Sequence, residues 1–295
     1  MNTANDIAEF LATRRAKITP EQVGLPSYGK RRVPGLRREE VASLAGVSAD
    51  YYRRLERGQV SGVSELVLEA LARALQLDDA ERAHLFDLAR AAGRVGVGSP
   101  RRSGTAKARV RPVVLRLLDQ IEAPAIVSTA HGDYLAANAL GRALYAPVFD
   151  SPEQPANSAR FTFLDPVAPD FYPDWDRLSS ELVAALRSQA GRNPYDRALQ
   201  DLIGELSTRS DEFRVRWAAH NVRFHRTGTK RLRHPVVGEL ELSYETLTLD
   251  ADDGLRMALY TAEAGSASQQ ALDLLASWTA TPDTTESRLR ETREH

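Results

Sequence analysis

Asp50, Arg53 and Arg54 lie within one short segment whose apolar residues have helical spacing. In a helix, Tyr52 and Leu55 are three positions apart and share one face, so the charged side chains lie on the other face. Guanidinium groups donate paired hydrogen bonds to guanine, and carboxylates accept hydrogen bonds from cytosine. The charged face therefore has the chemistry needed to contact the edges of base pairs.

The preceding segment predicts a second short helix and a tight turn. The apolar residues of 41–45 have helical spacing, and Ala42 is small enough to let two helices cross closely. Gly46 favours a left-handed helix end, which costs little without a Cβ. Val47 can fill the corner between the helices, and Ser48 can cap the second helix. The two helices and their turn have the spacing of a helix-turn-helix, which places its second helix in the major groove.

DNA contacts are therefore predicted on this segment. A glycine after a helix is often only a cap, and an arginine-rich helix face is often only solvated. Here all the constraints occur in one register within residues 38–58. The residues predicted to contact DNA are Arg37, Arg38, Ser48, Ala49, Asp50, Tyr51, Arg53 and Arg54, and the basic cluster Lys30, Arg31 and Arg32.

The basic cluster has two interpretations, contact with phosphates or entry of an arm into the minor groove, and a solvated loop is the alternative to both. Charge is divided unevenly along the chain. Residues 1–111 contain 20 Lys and Arg against 13 Asp and Glu, whereas residues 112–295 contain 19 against 27. A basic N-terminal part supports contact with a polyanion but indicates nothing about the fold.

Two family resemblances follow from these residues. Residues 36–77 resemble the helix-turn-helix domain of the xenobiotic-response-element (XRE) regulator family, which includes the lambdoid phage repressors. Residues 32–42 (RVPGLRREEVA) and 46–52 (GVSADYY) are similar to a narrower subgroup whose C-terminal half is an MmyB-like ligand-binding domain.

The first resemblance implies base contacts at Ala49, Asp50 and Arg54 and a phosphate contact at Arg38. Ala49 departs from the polar residue that is common at this position in the phage proteins. Recognition there is either an apolar contact with a thymine methyl group or absent.

Periodicity and length predict two domains. The predicted ranges are a helix-turn-helix domain over 1–95, a flexible basic linker over 96–111, a ligand-binding domain over 112–280 and a disordered tail over 281–295. Five helices are predicted in the first domain, near 7–18, 41–45, 49–55, 64–75 and 78–88. Residues between Pro20 and Gly35 are predicted to be irregular.

The second domain has a mixed pattern. Helices are predicted near 113–121, 138–145, 174–189, 196–206, 210–220 and 267–278, and strands near 125–128, 134–137, 230–234, 239–249 and 255–262. This order indicates an antiparallel sheet with helices on one side, a fold of the sensor type. The predicted fold class is α+β, with an all-α, lambda-repressor-like domain followed by a mixed PAS-like domain.

The MmyB-like resemblance extends over the second domain. It is carried by residues 133–138 (DYLAAN), Asn157, Arg160-Phe161, Asp165-Pro166, residues 172–175 (YPDW), the pattern of residues 210–222 and residues 234–238. It implies similarity to PAS sensors and an apolar pocket for an acyl chain or a similar small hydrophobic molecule. Ala137 stands where the family often has Trp. This smaller side chain either enlarges the pocket or alters its packing.

A pocket for an acyl chain requires apolar walls and a few polar groups. The predicted walls are Phe161, Phe163, Trp175, Phe213, Trp217 and Tyr244, and the predicted polar contacts are Asn138, Arg160 and His220. Each has an alternative interpretation. Aromatic residues at helical spacing commonly belong to a core, Asn138 can cap the following helix, and lone histidines are commonly structural.

Several classes of protein are disfavoured. The chain has no cysteine, so disulfides and thiolate metal sites are excluded. It lacks a zinc-protease His pattern, a Gly-x-Ser-x-Gly elbow and a phosphate-binding or dinucleotide-binding glycine motif. No apolar run reaches the length of a membrane span, and Asp6 stands where a signal peptide is basic. We therefore expect a cytoplasmic, nucleoid-associated protein that is not an enzyme and has no cofactor, metal or membrane partner.

The predicted function is transcriptional regulation, most simply repression. A homodimer would bind a double-stranded operator, and a small hydrophobic ligand, of fatty-acid type, would control its DNA affinity. Two alternatives remain at this point. The second domain can be a constitutive dimerisation or protein-interaction module, or, less favoured, a hydrolase with scattered catalytic residues.

Overall fold

A computed structural model of the chain describes residues 3–25, 33–60, 62–93, 109–219, 227–252 and 254–280. These residues form two compact units. The helical unit comprises the described residues of 1–104 and 180–224, and the sheet unit comprises those of 105–179 and 225–295. The predicted basic cluster Lys30–Arg32, most of the predicted linker and the predicted tail lie outside the described residues.

The described elements follow one another along the chain. The helices are α1 (Thr3–Lys17), α2 (Arg38–Leu44), α3 (Ala49–Leu55), α4 (Glu65–Ala74), α5 (Asp79–Gly93), α6 (Pro112–Asp119), α7 (Ala139–Leu144), α8 (Ala146–Phe149), α9 (Ser158–Leu164), α10 (Ala168–Phe171), α11 (Trp175–Arg192), α12 (Arg197–Arg209), α13 (Asp211–Ala218) and α14 (Ala267–Ala280). The strands are β1 (Ala125–Thr129), β2 (Tyr134–Ala137), β3 (Thr227–His234), β4 (Gly238–Thr248) and β5 (Leu255–Thr261).

The five predicted N-terminal helices are confirmed, with one short 3₁₀ turn at Glu21–Val23 in the segment predicted to be irregular. Their apolar faces meet in a single core because each helix is amphipathic. The fully buried residues of this core include Ile7, Phe10, Leu11, Leu36, Val41, Tyr52, Leu55, Leu71 and Leu85.

Helix α11 packs closely on α5 within the helical unit. A Cβ atom added to Gly191 would lie 2.7 Å from ring atoms of His84, so only glycine permits this approach. Arg192 Nε also lies 3.3 Å from a carboxylate oxygen of Asp87. These contacts join a helix of the predicted second domain to a helix of the predicted first domain. The predicted domain boundaries remain a prediction.

The sheet has five strands in the order β2-β1-β5-β4-β3, and all described pairs are antiparallel. Its register places Tyr244 opposite Tyr260 and Leu232 opposite Leu240. Because side chains alternate along a strand, these residues and Lys230 lie on one face. We call it the inner face.

The inner face and the helices α7, α9, α10 and α14 enclose the main apolar core of the sheet unit. The opposite face is covered over β1 and β5 by α6, whose Val114 and Leu118 pack on Val127 and Met257. The prediction of helices on one side was therefore wrong. Strands β1 and β5 are apolar on both faces, and a second helix layer buries their other side.

Three short helices, α8, α9 and α10, were not predicted. Helices α8 and α10 have four residues each, too few to show helical periodicity, and in α9 the alternation of Phe161 and Phe163 does not indicate a helix. Helix α9 begins because Asn157 accepts hydrogen bonds from the backbone N–H groups of Ala159 and Arg160 at 2.7 and 3.1 Å. Helices α8 and α10 each have a proline in the first turn, where its missing N–H costs nothing.

Candidate DNA interface and ligand site

The turn between α2 and α3 has the geometry that the sequence predicts. Gly46 has φ +66°, and the backbone N–H of Val47 donates to the carbonyl of Ala42 at 2.9 Å. Ser48 then accepts a hydrogen bond from the backbone N–H of Tyr51 at 3.1 Å and caps α3. Capping fixes where α3 starts and so which of its side chains face outward.

Helix α3 buries one face and exposes the other. Tyr52 and Leu55 are 0% and 1% exposed, whereas Asp50, Arg53 and Arg54 are exposed. Two of them pair on the helix surface, where Arg53 Nη1 donates a hydrogen bond to Asp50 Oδ1 at 2.8 Å. This face can present both donors and an acceptor to a base pair.

Three other residues predicted to contact DNA, Ala49, Tyr51 and Arg37, differ in how far they are exposed to solvent. Ala49 and Tyr51 are half-buried against the core, and the guanidinium of Arg54 lies 5.4 Å from the centre of the Tyr51 ring. Arg37 is exposed at the start of α2, where its backbone N–H donates to Glu40 at 2.6 Å.

Glu56 links three helices and has a role that the sequence did not indicate. Its side chain is 2% exposed, and its carboxylate accepts hydrogen bonds from Arg15 Nε and Arg38 Nε, each at 2.5 Å. Burial by itself raises the pKa of Glu56, but the hydrogen bonds and charges of Arg15 and Arg38 more than offset it, so the pKa lies below its ordinary value. Arg38, the predicted phosphate contact, is thereby held in place while half of its side chain stays in solvent.

The sheet unit contains a cluster of aromatic rings, which we call the aromatic cluster. Its members on the inner face and the helices above are Tyr134, Tyr145, Phe149, Phe161, Phe171, Tyr172, Tyr244 and Tyr260, with neighbouring centroids 4.8–6.1 Å apart. Two predicted wall residues, Phe161 and Tyr244, belong to it. The other six members, among them Tyr145 and Tyr260, were not predicted as wall residues because they come from several elements with no common spacing.

Phe163 and Trp175 lie beside this cluster rather than in it. Their ring centroids are 6.1 Å apart, and the indole of Trp175 donates to the carbonyl of Thr162 at 2.9 Å. Both are half-buried. They can therefore contribute an edge to an apolar site next to α9.

Phe213 and Trp217 occupy a different place from the other predicted wall residues. They belong to α13 in the helical unit, where their rings stack with centroids 5.5 Å apart. The guanidinium of Arg187 lies 4.0 Å from the Trp217 ring and donates to the Trp217 carbonyl. These two residues therefore belong to a different unit from Phe161 and Tyr244.

Asn138 has a complete set of structural hydrogen bonds. Its side-chain oxygen accepts from the backbone N–H groups of Ala125 and Gly141 at 3.0 and 2.8 Å, and its amide donates to the carbonyls of Ile121 and Ala123 at 2.8 and 2.7 Å. It caps α7, as the alternative interpretation expected, and it also joins β1 to the end of α6.

Arg160 also has structural partners. Its guanidinium lies 3.6 Å from Asp133, which accepts hydrogen bonds from Asn157 at 2.7 Å and is 2.9 Å from His131. Burial raises the pKa of Asp133, but these partners outweigh it and hold the pKa below its ordinary value. This network joins the β1–β2 turn to α9. His220 lies outside the described residues.

Two cations lie against the aromatic cluster: the guanidinium of Arg142 is 4.4 Å from the centre of the Phe149 ring, and Lys230 lies beside the tyrosine rings of the inner face. Its Nζ is 3.3 Å from the hydroxyl of Tyr145 and 5.2–5.7 Å from the ring centroids of Tyr145, Tyr244 and Tyr260. The hydroxyls of Tyr145 and Tyr260 are 3.0 Å apart. Burial raises the pKa of Tyr145 well above its ordinary value, so this hydroxyl stays protonated.

Within the described ranges there is no group of three His, Asp or Glu side chains placed to hold a metal ion. Across the same ranges, no helix combines the length and the apolar character needed to cross a lipid bilayer.

Comparison with known families assigns both halves of the chain. Residues 6–85 match a helix-turn-helix domain, and residues 110–275, more than half of the chain, match the MmyB-like transcription regulator ligand binding domain. A search of curated proteins gave no match. Both matched families are regulator domains, which suggests a protein that is not an enzyme. The chain belongs to the family of helix-turn-helix transcription regulators that carry a C-terminal MmyB-like ligand-binding domain.

Proposed function

We propose that this regulator is a repressor that binds a double-stranded DNA operator as a homodimer, and that a small hydrophobic ligand of fatty-acyl type controls its DNA affinity. It acts in the cytoplasm on the nucleoid, without a cofactor and without catalysing a reaction. The operator contacts are made by α3, and the ligand is held in the sheet unit.

The observation that carries the DNA-binding part is the division of α3 into two faces. Tyr52 and Leu55 hold the helix on the core, which leaves Asp50, Arg53 and Arg54 in solvent. Arg38, fixed by Glu56, supplies a phosphate contact at the start of α2. In a dimer, two copies of α3 would reach half-sites separated by roughly 34 Å, one turn of DNA, or a multiple of it.

The aromatic cluster supports an apolar ligand. Its rings come from β2, β4 and β5 and from the helices that cover the inner face. Apolar walls with few polar groups are typical of sites for small hydrophobic molecules. A ligand that prefers one conformation by about 1–3 kcal/mol would change DNA affinity about 5- to 150-fold, which is sufficient to switch a promoter.

The test begins with genomic fragments retained by the intact protein, from which an operator is identified by sequencing. Fluorescence anisotropy then measures affinity for operator and random duplexes, with and without dodecanoate, whose binding to the protein is measured independently by calorimetry. We expect specific binding, and a change of at least fivefold on addition of dodecanoate. A reporter gene under the operator should be more active in cells that lack the regulator.

Each part has its own contradictory outcome. Failure to bind any duplex at low ionic strength contradicts the DNA-binding assignment. Dodecanoate that binds without changing DNA affinity contradicts ligand control and favours a constitutive role for the C-terminal half. Protein that remains monomeric on the operator contradicts the homodimer.

A further inference from the structure

Lys230 differs from the other cations of its strand in its surroundings. Arg231 and Arg233, on the outer face of β3, pair with Asp174 at 2.6 Å and with Glu239 at 3.5 Å. Lys230 is half-buried on the inner face. No carboxylate within the described ranges forms an ion pair with it, and its neighbours are the rings of Tyr145, Tyr244 and Tyr260.

The hydrogen-bond donors around Lys230 outnumber the acceptors. A lysine ammonium has three donor hydrogens, and within the described part of the chain only one of them has a partner, the hydroxyl of Tyr145. Tyr145 and Tyr260 share one hydrogen bond through their two hydroxyls. Whichever of the two donates, the other hydroxyl hydrogen has no acceptor among the same residues.

Converging donors beside a positive charge match an acceptor that carries a negative charge. A carboxylate is such a group, since its two oxygens only accept hydrogen bonds. Placing it here would also neutralise a cation that is partly removed from water, which is otherwise unfavourable. Asn138 and Arg160, the polar groups predicted from the sequence, are already engaged by the protein.

We propose that Lys230, Tyr145 and Tyr260 bind the carboxylate of the ligand while its apolar chain lies against the aromatic cluster. This inference rests on the proposed function and narrows it. The ligand is an anionic amphiphile, and the protein binds it more tightly than an uncharged or cationic molecule with the same chain. Lys230 is then the residue that determines head-group specificity.

The test compares three probes with one chain length: dodecanoate, dodecan-1-ol and dodecylammonium. Each is titrated into the full-length protein by calorimetry at pH 8, below its aggregation concentration. We expect dodecanoate to bind about tenfold or more tightly than the alcohol, as for a charge-assisted hydrogen bond in a partly buried site. The ammonium probe should bind most weakly.

Two variants show where the preference arises. Lys230→Met keeps the length and apolar character of the stem, and should reduce the affinity for dodecanoate to that for the alcohol while leaving the alcohol unchanged. Arg233→Met removes a cation from the same strand on the outer face, and should leave the preference intact. Circular dichroism of each variant checks that the fold is retained.

The outcomes separate this inference from the proposed function. If dodecanoate and the alcohol bind equally to the unaltered protein, or if Lys230→Met keeps the preference, the apolar ligand stands and the role of Lys230 is refuted. If the ammonium probe binds best, the tyrosine rings hold a cation and the inference is overturned. If no probe binds, the fatty-acyl ligand itself is refuted.

Discussion

Glu56, directly after α3, accepts a hydrogen bond at 2.5 Å from Nε of Arg38, the first residue of α2. The same carboxylate accepts from Arg15 of α1. One buried charge therefore fixes the angle between the two helices of the DNA-binding motif and holds a predicted phosphate contact in position. Its loss should affect both stability and DNA binding.

Glu56→Gln should lower the free energy of unfolding by about 1–3 kcal/mol. Glutamine keeps the shape but removes the charge, which leaves Arg15 and Arg38 with weaker hydrogen bonds. Urea unfolding followed by circular dichroism at pH 7 measures the effect. Glu39→Gln removes an exposed charge from α2 and serves as the control, and an equal loss in both variants would contradict the role of Glu56.

Glu56 also predicts a pH dependence. Its pKa in the folded protein is below the ordinary value of 4.5 because of Arg15 and Arg38, despite the opposing effect of burial. Its contribution to stability is thus complete above pH 4.5 and is lost as the pH falls through the folded pKa. Between pH 5 and pH 3 the unaltered protein should lose more stability than Glu56→Gln, and parallel curves would contradict this.

Arg54→Ala and Arg38→Ala should have different effects on DNA binding. Arg54→Ala should cost about 1–3 kcal/mol on the operator and relax the preference at one base pair, because we propose that its exposed guanidinium contacts a base. Arg38→Ala should lower the affinity for operator and for random DNA by the same factor. It should also reduce the slope of log affinity against log salt concentration by about the amount that one phosphate contact contributes. Anisotropy titrations at several salt concentrations separate the two.

Arg73→Ala is the matched control for this comparison, since it removes an exposed arginine from α4 of the same unit. It should leave operator affinity and its salt dependence nearly unchanged. Identical losses on operator and random DNA for Arg54→Ala would show that Arg54 does not discriminate between bases.

Asn138→Ala should destabilise the protein by about 2–4 kcal/mol, because a buried cap and several hydrogen bonds are lost together. Thermal unfolding of the variant with and without dodecanoate measures this. Asn193→Ala, at an exposed position, is the control. Unchanged stability with weaker dodecanoate binding would instead assign Asn138 to the ligand.

His234 should make the protein less stable in mild acid. Burial lowers the pKa of His234 below its ordinary value of 6.5, and the hydrogen bond to the carbonyl of Ala143 at 3.0 Å only partly opposes this. The backbone N–H of Val236 points at the other ring nitrogen at 3.2 Å, which favours the neutral ring. The stability from the neutral ring is present above pH 6.5 and is lost as the pH falls through the folded pKa.

Unfolding measurements from pH 7.5 to 5 should show this loss in the unaltered protein and a smaller slope in His234→Gln. His131→Gln, at a half-buried site beside Asp133, is a second histidine variant for comparison. A slope that His131→Gln removes and His234→Gln retains would show that a different histidine is responsible.

The sequence predicted the features that depend on neighbouring residues. The cap at Ser48, the left-handed turn at Gly46 and the inward pair Tyr52 and Leu55 all arise from spacing within a few positions. The resemblance to a known family likewise identified both domains. Such local constraints determine each element almost independently of its partners.

The features that were missed depend on contacts between distant segments. Lys230 is separated by 85 positions from Tyr145, and Tyr145 by 115 from Tyr260, so no spacing connects them. Phe213 and Trp217 likewise show that spacing along the chain does not reveal contacts between distant segments. Their helical spacing correctly places them on one face of α13, but it does not indicate which element that face contacts.

The close approach of Gly191 to His84 restricts which segments of this regulator can be exchanged with those of a relative. A hybrid that joined residues 1–95 to the sensor of a relative would leave the surface of α5 without the helix that now covers it. Such a hybrid would need α11 to α13 from the same parent, or a replacement with an equally small residue facing His84. The segments that must come from one parent therefore include α11 to α13 as well as the five N-terminal helices.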